Sequence, residues 1–109
     1  MTYKLFVDDI RNFEMYYPGQ DFVLVRTYDE AVNVILQCGL PEFISFDHDL
    51  ADTEVPERTG YTFAKFLVEY MMDNNIQVPF DFIVHSSNPP GKKNIEMYLQ
   101  NYFETLNGN

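Results

Sequence analysis

Acidic and imidazole side chains stand where the apolar runs of this chain stop. Asp8 and Asp9 follow residues 3–7, Asp47, His48 and Asp49 follow residues 43–46, and His85 follows residues 80–84. His48 and His85 are the only histidines among 109 residues. Carboxylates brought within a few ångströms of one another repel. A protein answers by binding a cation, by recruiting a basic side chain such as Arg11 or a lysine, or by keeping one carboxyl protonated. A hard divalent cation, Mg²⁺ or Mn²⁺, takes oxygen ligands and is the simplest answer. Asp8, Asp9, Asp47 and Asp49 are therefore the expected metal ligands. Taken singly, Asp9 or Asp49 is as well explained by a turn cap pointing to water; the four together point to a functional site. Each histidine can move a proton near neutral pH or ligate a metal. Neighbouring carboxylates are expected to raise their pKa values and favour a protonated acid.

A second group follows the fourth apolar run, in His85-Ser86-Ser87-Asn88-Pro89-Pro90-Gly91-Lys92-Lys93-Asn94. A helix beginning here would present N–H groups and a positive dipole end, which attract anions. Hydroxyls at Ser86 and Ser87 and charges at Lys92 and Lys93 suit phosphate, and Arg11 can reach a phosphate with two parallel hydrogen bonds. The competing reading is an ordinary Ser/Asn cap with two solvated lysines. The chain has no Walker-type glycine loop and no Gly-x-Ser-x-Gly elbow. Tyr16, Tyr17 and Tyr61 lie in or beside expected loops and are candidates to stack on a base.

The elements that must position these residues follow from pattern and punctuation. Residues 3–7, 22–25, 43–46 and 80–84 are short apolar runs and predict four strands. Between the first two, Pro18-Gly19 marks a turn, and the segment has room only for a loop or a stunted helix. Thr27-Tyr28-Asp29-Glu30 has the capping-box pattern. Tyr28, Ala31, Val32, Ile35 and Cys38 then recur at helical spacing, with Gly39 placed to end the helix and Pro41 to prevent its resumption. Residues 50–58 form a polar loop. A second helix starts near Thr59, with Phe63, Phe66, Leu67, Tyr70 and Met71 on one face. Asn88 caps a third, with Pro89 at its first position and Ile95, Tyr98, Leu99, Tyr102 and Leu106 as its stripe. The order β-β-α-β-α-β-α, with a right-handed crossover joining strands three and four, predicts an α/β sheet. Parallel strands of such a sheet end along one edge, where open α/β folds bind their ligands.

Length and composition bound the rest. The chain suits a single domain over residues 1–109, and 46% hydrophobic content supplies a core. Seven Lys plus Arg against seventeen Asp plus Glu leave a formal charge of -10. That excludes an extended nucleic-acid surface but leaves room for a small phosphorylated ligand held locally, or for a basic protein partner. Cys38 is the only cysteine, so no internal disulfide forms; it is expected to be buried at a helix end. No run is long enough to span a membrane, the N-terminus lacks a signal-peptide core, and the expected location is the cytoplasm. Asn107-Gly108-Asn109 is expected to fray.

Strand–Asp8-Asp9, strand–Asp47 and strand–His85-Ser86 resemble response-regulator receiver domains. More specifically, Val7-Asp8-Asp9-Ile10-Arg11, Ser45-Phe46-Asp47-His48-Asp49-Leu50, Thr59-Gly60-Tyr61 and His85-Ser86-x-Asn88-Pro89-x-Gly91-x-x-Asn94-Ile95 resemble the cyclic-phosphate-processing receiver domains over nearly the whole chain. The resemblance implies a small receiver-like (flavodoxin-like) three-layer fold. Its four-stranded sheet would be mostly parallel, the first helix stunted and the fifth strand absent. The receiver lysine at the end of that strand has no counterpart, and Lys92 or Lys93 would have to substitute. The implied activity is metal-assisted opening of a cyclic phosphate such as a 2′,3′-cyclic nucleotide or RNA end. In that reading Asp8, Asp9, Asp47 and Asp49 serve the cation, and Arg11, Ser86, Asn88, Lys92 and Asn94 serve the phosphate. His85 is the general acid, and His48 orients or activates water. The alternatives are a non-catalytic module that binds a protein or a small phosphorylated ligand, and a true receiver phosphorylated on Asp47.

Overall fold

Alternation along the strands decides the architecture. In the computed structural model, which describes residues 2–106, β1 (Lys4–Val7), β2 (Val23–Val25), β3 (Phe43–Phe46) and β4 (Asp81–Val84) form one sheet. The order is β2-β1-β3-β4 and every neighbouring pair is parallel. This is the flavodoxin-like order short of a fifth strand, with its switch point between β1 and β3. The terminal Asn107-Gly108-Asn109 lies outside the described residues.

Leu5, Val7, Val25, Ile44, Phe46 and Val84 point to one face and meet α1 (Tyr28–Cys38), α2 (Gly60–Asp73) and α3 (Pro89–Leu106). Ala31 and Ile35, Phe63 and Leu67, and Ile95 and Leu99 are the helical contributions to this single core. Fully burying a side chain of this kind stabilises by about 1.5–3 kcal/mol. The opposite face carries a much thinner layer. The stunted helix is a 3₁₀ turn over Phe13–Met15, and Phe13, Tyr17 and Phe22 gather around the fully buried Phe6 of β1. This layer does not reach β4, whose Asp81 is exposed and whose Ile83 is half exposed.

The helix ends follow local chemistry. Thr27 Oγ1 accepts from the Glu30 N–H at 3.1 Å, but the Glu30 carboxylate accepts from the Arg26 N–H at 2.7 Å, so only half of the expected capping box forms. The complete reciprocal box is at α2, where the Thr62 N–H donates to Thr59 Oγ1 and the Thr59 N–H donates to Thr62 Oγ1. Gly39 ends α1 at φ +80. Cys38 was expected to be buried and is exposed; it is the last residue of α1, where the chain turns away. The loop after β3 is anchored by Leu50, which is 3% exposed. Among the described residues no helix is long and apolar enough to cross a membrane.

Arg58 ties that loop to α1. It donates to Asp52 at 2.8 and 3.1 Å and to Asp29 at 2.9 and 3.0 Å, and its guanidinium stacks 4.7 Å from the Tyr28 ring centre. The hydrogen bonds from Arg58 hold the Asp52 carboxyl down from its ordinary 3.8 to about 2. A depressed carboxyl contributes stability that is present above its unfolded value and lost as pH falls through its folded value. Asp52→Asn should therefore remove part of the acid sensitivity between 3.8 and about 2. Urea midpoints taken across that interval should fall less steeply in the variant than in the wild type. Parallel slopes would show that the ion pair carries no such linkage.

Candidate functional site at the strand ends

The parallel ladder pairs Val7 with Phe46 and Phe46 with Val84. The next residue on each strand is Asp8, Asp47 or His85, so the three are neighbours by register. The ladder continues through them: the Asp47 N–H donates to the Val7 carbonyl at 2.7 Å and the His85 N–H to the Phe46 carbonyl at 2.8 Å.

Asp8 is fully buried. Its Oδ1 accepts from the N–H groups of Ile10 and Arg11, both at 2.9 Å, which bends the chain off the sheet in an Asx turn. Its Oδ2 accepts from His85 Nε2 at 2.9 Å. Asp8, Asp9 and Asp47 each bring one carboxylate oxygen within 4.8 Å of the others. Asp47 is 5% exposed. Burial, then the charge of Asp8, pushes the Asp47 carboxyl upward against hydrogen bonding from Ser86. Burial and Asp8 raise Asp9 too, and Asp49 adds to its field. For Asp8, burial alone would raise the pKa, but the two backbone N–H groups and His85 outweigh it and hold the carboxyl low. Besides His85, Arg11, 3.9 Å from Asp8 Oδ2, is the one basic side chain paired with this group among the described residues. Three clustered carboxylates answered by a single partly exposed guanidinium form a donor set that suits a hard dication.

The two histidines leave the sheet edge on opposite sides. His48 turns toward the helices, and its ring lies against Gly91 in the first turn of α3, where a Cβ would fall 2.5 Å from the ring. His48 Nδ1 is 3.0 Å from Asp49 Oδ1. Asp49 is thus paired with His48 and lies outside the trio of carboxylates, although its charge is felt at Asp9. His85 turns to the thin face. Its Nδ1 is 2.7 Å from Ser45 Oγ, which is 3.0 Å from the Tyr17 hydroxyl. Its ring is stacked on Phe6 at 4.6 Å and 7° and flanked by Tyr16 at 5.0 Å.

Both ring nitrogens of His85 are therefore engaged, and its side chain is 4% exposed. Burial lowers its pKa despite the opposing pull of Asp8 and Asp47, the reverse of the protonated acid expected from sequence. The start of α3 also departs from expectation. Pro89 and Pro90 have no N–H, the Gly91 N–H donates to Asn88 Oδ1 at 3.0 Å, and the Lys92 N–H donates to the Asn88 carbonyl at 2.8 Å. Asn88 caps the helix as expected, but no first-turn donor is left for an anion. Lys92 lines the groove between β4 and α3 with Phe82 and Phe103, and Asn94 is exposed. Of the expected phosphate ligands, Ser86 and Arg11 are the two beside the carboxylates. Ser45, quoted above only as part of a motif, carries no role in the sequence reading. Its signal was present, as a single hydroxyl in an otherwise apolar strand that is fully buried here.

The family model for the cyclic-phosphate processing Receiver domain matches residues 3–101 of this chain. No curated protein matches, and neither does any solved structure.

Two stability effects follow from this packing. A Cβ at Gly60 would collide with the Asp47 carbonyl oxygen. Gly60→Ala should thus destabilise by about 1–3 kcal/mol in urea unfolding, the cost of overpacking, rather than gain the usual helix benefit. At Asp47 the sign is reversed. A carboxyl whose folded pKa is raised costs stability once pH passes its ordinary value. Asp47→Asn should accordingly raise the stability of metal-free protein at neutral pH by about 1 kcal/mol. A loss of stability there would mean that the carboxylate acts as a structural cap.

Proposed function

This chain belongs to the cyclic-phosphate processing receiver domain family, and we propose that its strand-end pocket binds a divalent cation and hydrolyses a small cyclic phosphate, of the 2′,3′-cyclic nucleotide or RNA-end type. The observation that supports this most directly is the trio Asp8, Asp9 and Asp47, two of them buried, with oxygens inside 4.8 Å of one another. These three would hold Mg²⁺ or Mn²⁺, and Asp49 would add negative potential from beside Asp9. The bound cation would neutralise charge on the phosphoryl oxygens.

The chain's own groups supply the rest. Arg11, already at the rim and partly exposed, turns from Asp8 to a phosphate oxygen, and the Ser86 hydroxyl turns its one proton from Asp47 to another. Lys92, in the groove between β4 and α3, and the exposed Asn94 take no part in this reading. His48 Nδ1 lies 3.0 Å from Asp49 Oδ1; donating there, it would leave Nε2 to accept the proton of the attacking water. Water adds to phosphorus, one ring P–O bond breaks, and a phosphomonoester results, with the leaving oxygen protonated from solvent. His85, whose nitrogens are both occupied, holds Asp8 rather than delivering this proton.

A second reading draws on that same occupancy. With no free imidazole donor beside the carboxylates, a non-catalytic module that binds a small phosphorylated ligand accounts for the trio, Arg11 and Ser86 equally well.

Phosphorus NMR of the protein with 2′,3′- and 3′,5′-cyclic nucleotides and Mg²⁺ or Mn²⁺ separates the two. Hydrolysis should produce new phosphomonoester signals that disappear in Asp47→Asn. His48→Gln should slow them by about 10²–10⁴-fold, the usual worth of a general base. Substrate lines that shift or broaden without new products would establish the binding module instead.

A further inference from the structure

We propose that Tyr17 and Ser45 are positioning residues of the carboxylate site, which they hold in shape through His85. The inference rests on the reading of that site as a cation pocket. The chain Tyr17 OH, Ser45 Oγ, His85 and Asp8 has links of 3.0, 2.7 and 2.9 Å. Its direction follows from the acceptor at its end. An ionised carboxylate only accepts, so the proton in the last link belongs to His85 Nε2. With His85 neutral, Nδ1 must then accept from the Ser45 hydroxyl, which in turn accepts from Tyr17.

Nothing about packing demands these groups. Ser45 is fully buried on the aromatic face of β3, where an apolar residue would need no partner. Replacing a whole buried hydrogen-bonded set by apolar groups can be nearly neutral, whereas removing one member strands the others. The ring of His85 stacks on Phe6, and Tyr16 packs against both rings at a tilt. What the chain achieves is at its end. Asp8 Oδ1 is committed to the turn over Ile10 and Arg11, and the His85 N–H holds Oδ2, so the carboxylate that joins Asp9 and Asp47 is fixed at both oxygens. Partners of this second rank orient cation ligands, and their loss commonly weakens cation affinity 10–100-fold.

Two readouts on the whole chain test this. In metal-free protein at neutral pH, long-range ¹⁵N NMR of the imidazoles should find His85 as the Nε2–H tautomer, and Ser45→Ala should disturb that assignment. Calorimetric titration with Mg²⁺ and Mn²⁺ should show affinity falling by about 10–100-fold in Tyr17→Phe, which keeps the ring and removes only the hydroxyl. Ile95→Val, a destabilising change in the core on the other face, should leave affinity unchanged. An Nδ1–H tautomer in the wild type, or a loss in Tyr17→Phe no greater than in Ile95→Val, overturns the proposal. If the wild type binds neither cation, the cation reading of the pocket fails, and the tautomer decides the positioning role alone: disturbed in Ser45→Ala it stands, unchanged it falls.

Discussion

A single parallel register across β1, β3 and β4 is the constraint on which the site depends. Backbone pairing of Val7, Phe46 and Val84 places the next residue of each strand side by side, whatever its chemistry. Here those residues are Asp8, Asp47 and His85. A slip of one residue would reverse every side chain on a strand. It would send Phe46 out of the core and Asp47 into it. The apolar core on the helical face therefore enforces the register, and the register assembles the polar group.

The cost of that assembly is electrostatic. Burial raises the carboxyl pKa of Asp9 and Asp47, and each feels the charge of Asp8. Asp8 alone is held low, because two backbone N–H groups and His85 converge on it. One member of the trio is thus stabilised as an anion while its neighbours are left strained by like charge. Such an arrangement invites a cation more than it stabilises a fold. The ion pair of Arg58 with Asp29 and Asp52 provides a contrast. There one guanidinium bridges two carboxylates and joins a loop to a helix.

The thin side of the sheet has its own logic. Between β1 and β2 there is room for one 3₁₀ turn, and aromatic rings cover what a full helix would otherwise cover. Phe6 serves both purposes, as the centre of the ring cluster and as the plane on which His85 stacks. The economy of this layer is also why His85 is enclosed by Tyr16 and Tyr17 rather than open to solvent.

Much of this was legible in the chain itself. Apolar runs stopping at Asp8, Asp47 and His85 located the strand ends. Thr27, Gly39 and Asn88-Pro89 punctuated the helices correctly, since caps and breakers act within three or four residues. Even the missing donors at α3 were written in Pro89-Pro90, which removes two N–H groups wherever the helix packs. Cys38 and Glu30 were misread because a helix's local pattern says nothing of where its ends meet the rest of the molecule. The partners of His85 were beyond local reading altogether. Ser45 is 40 residues away, Asp8 is 77, and Tyr17 joins Ser45 across 28. Hydrogen bonds over such separations leave no periodicity or spacing to find. The sequence by itself determined which residues end the strands, because strand length and apolar content are short-range properties. Only the tertiary structure decided that His48 and His85 part to opposite faces, and that one of them is locked between Asp8 and Ser45, because that depends on the sheet's register and on which layer covers each side.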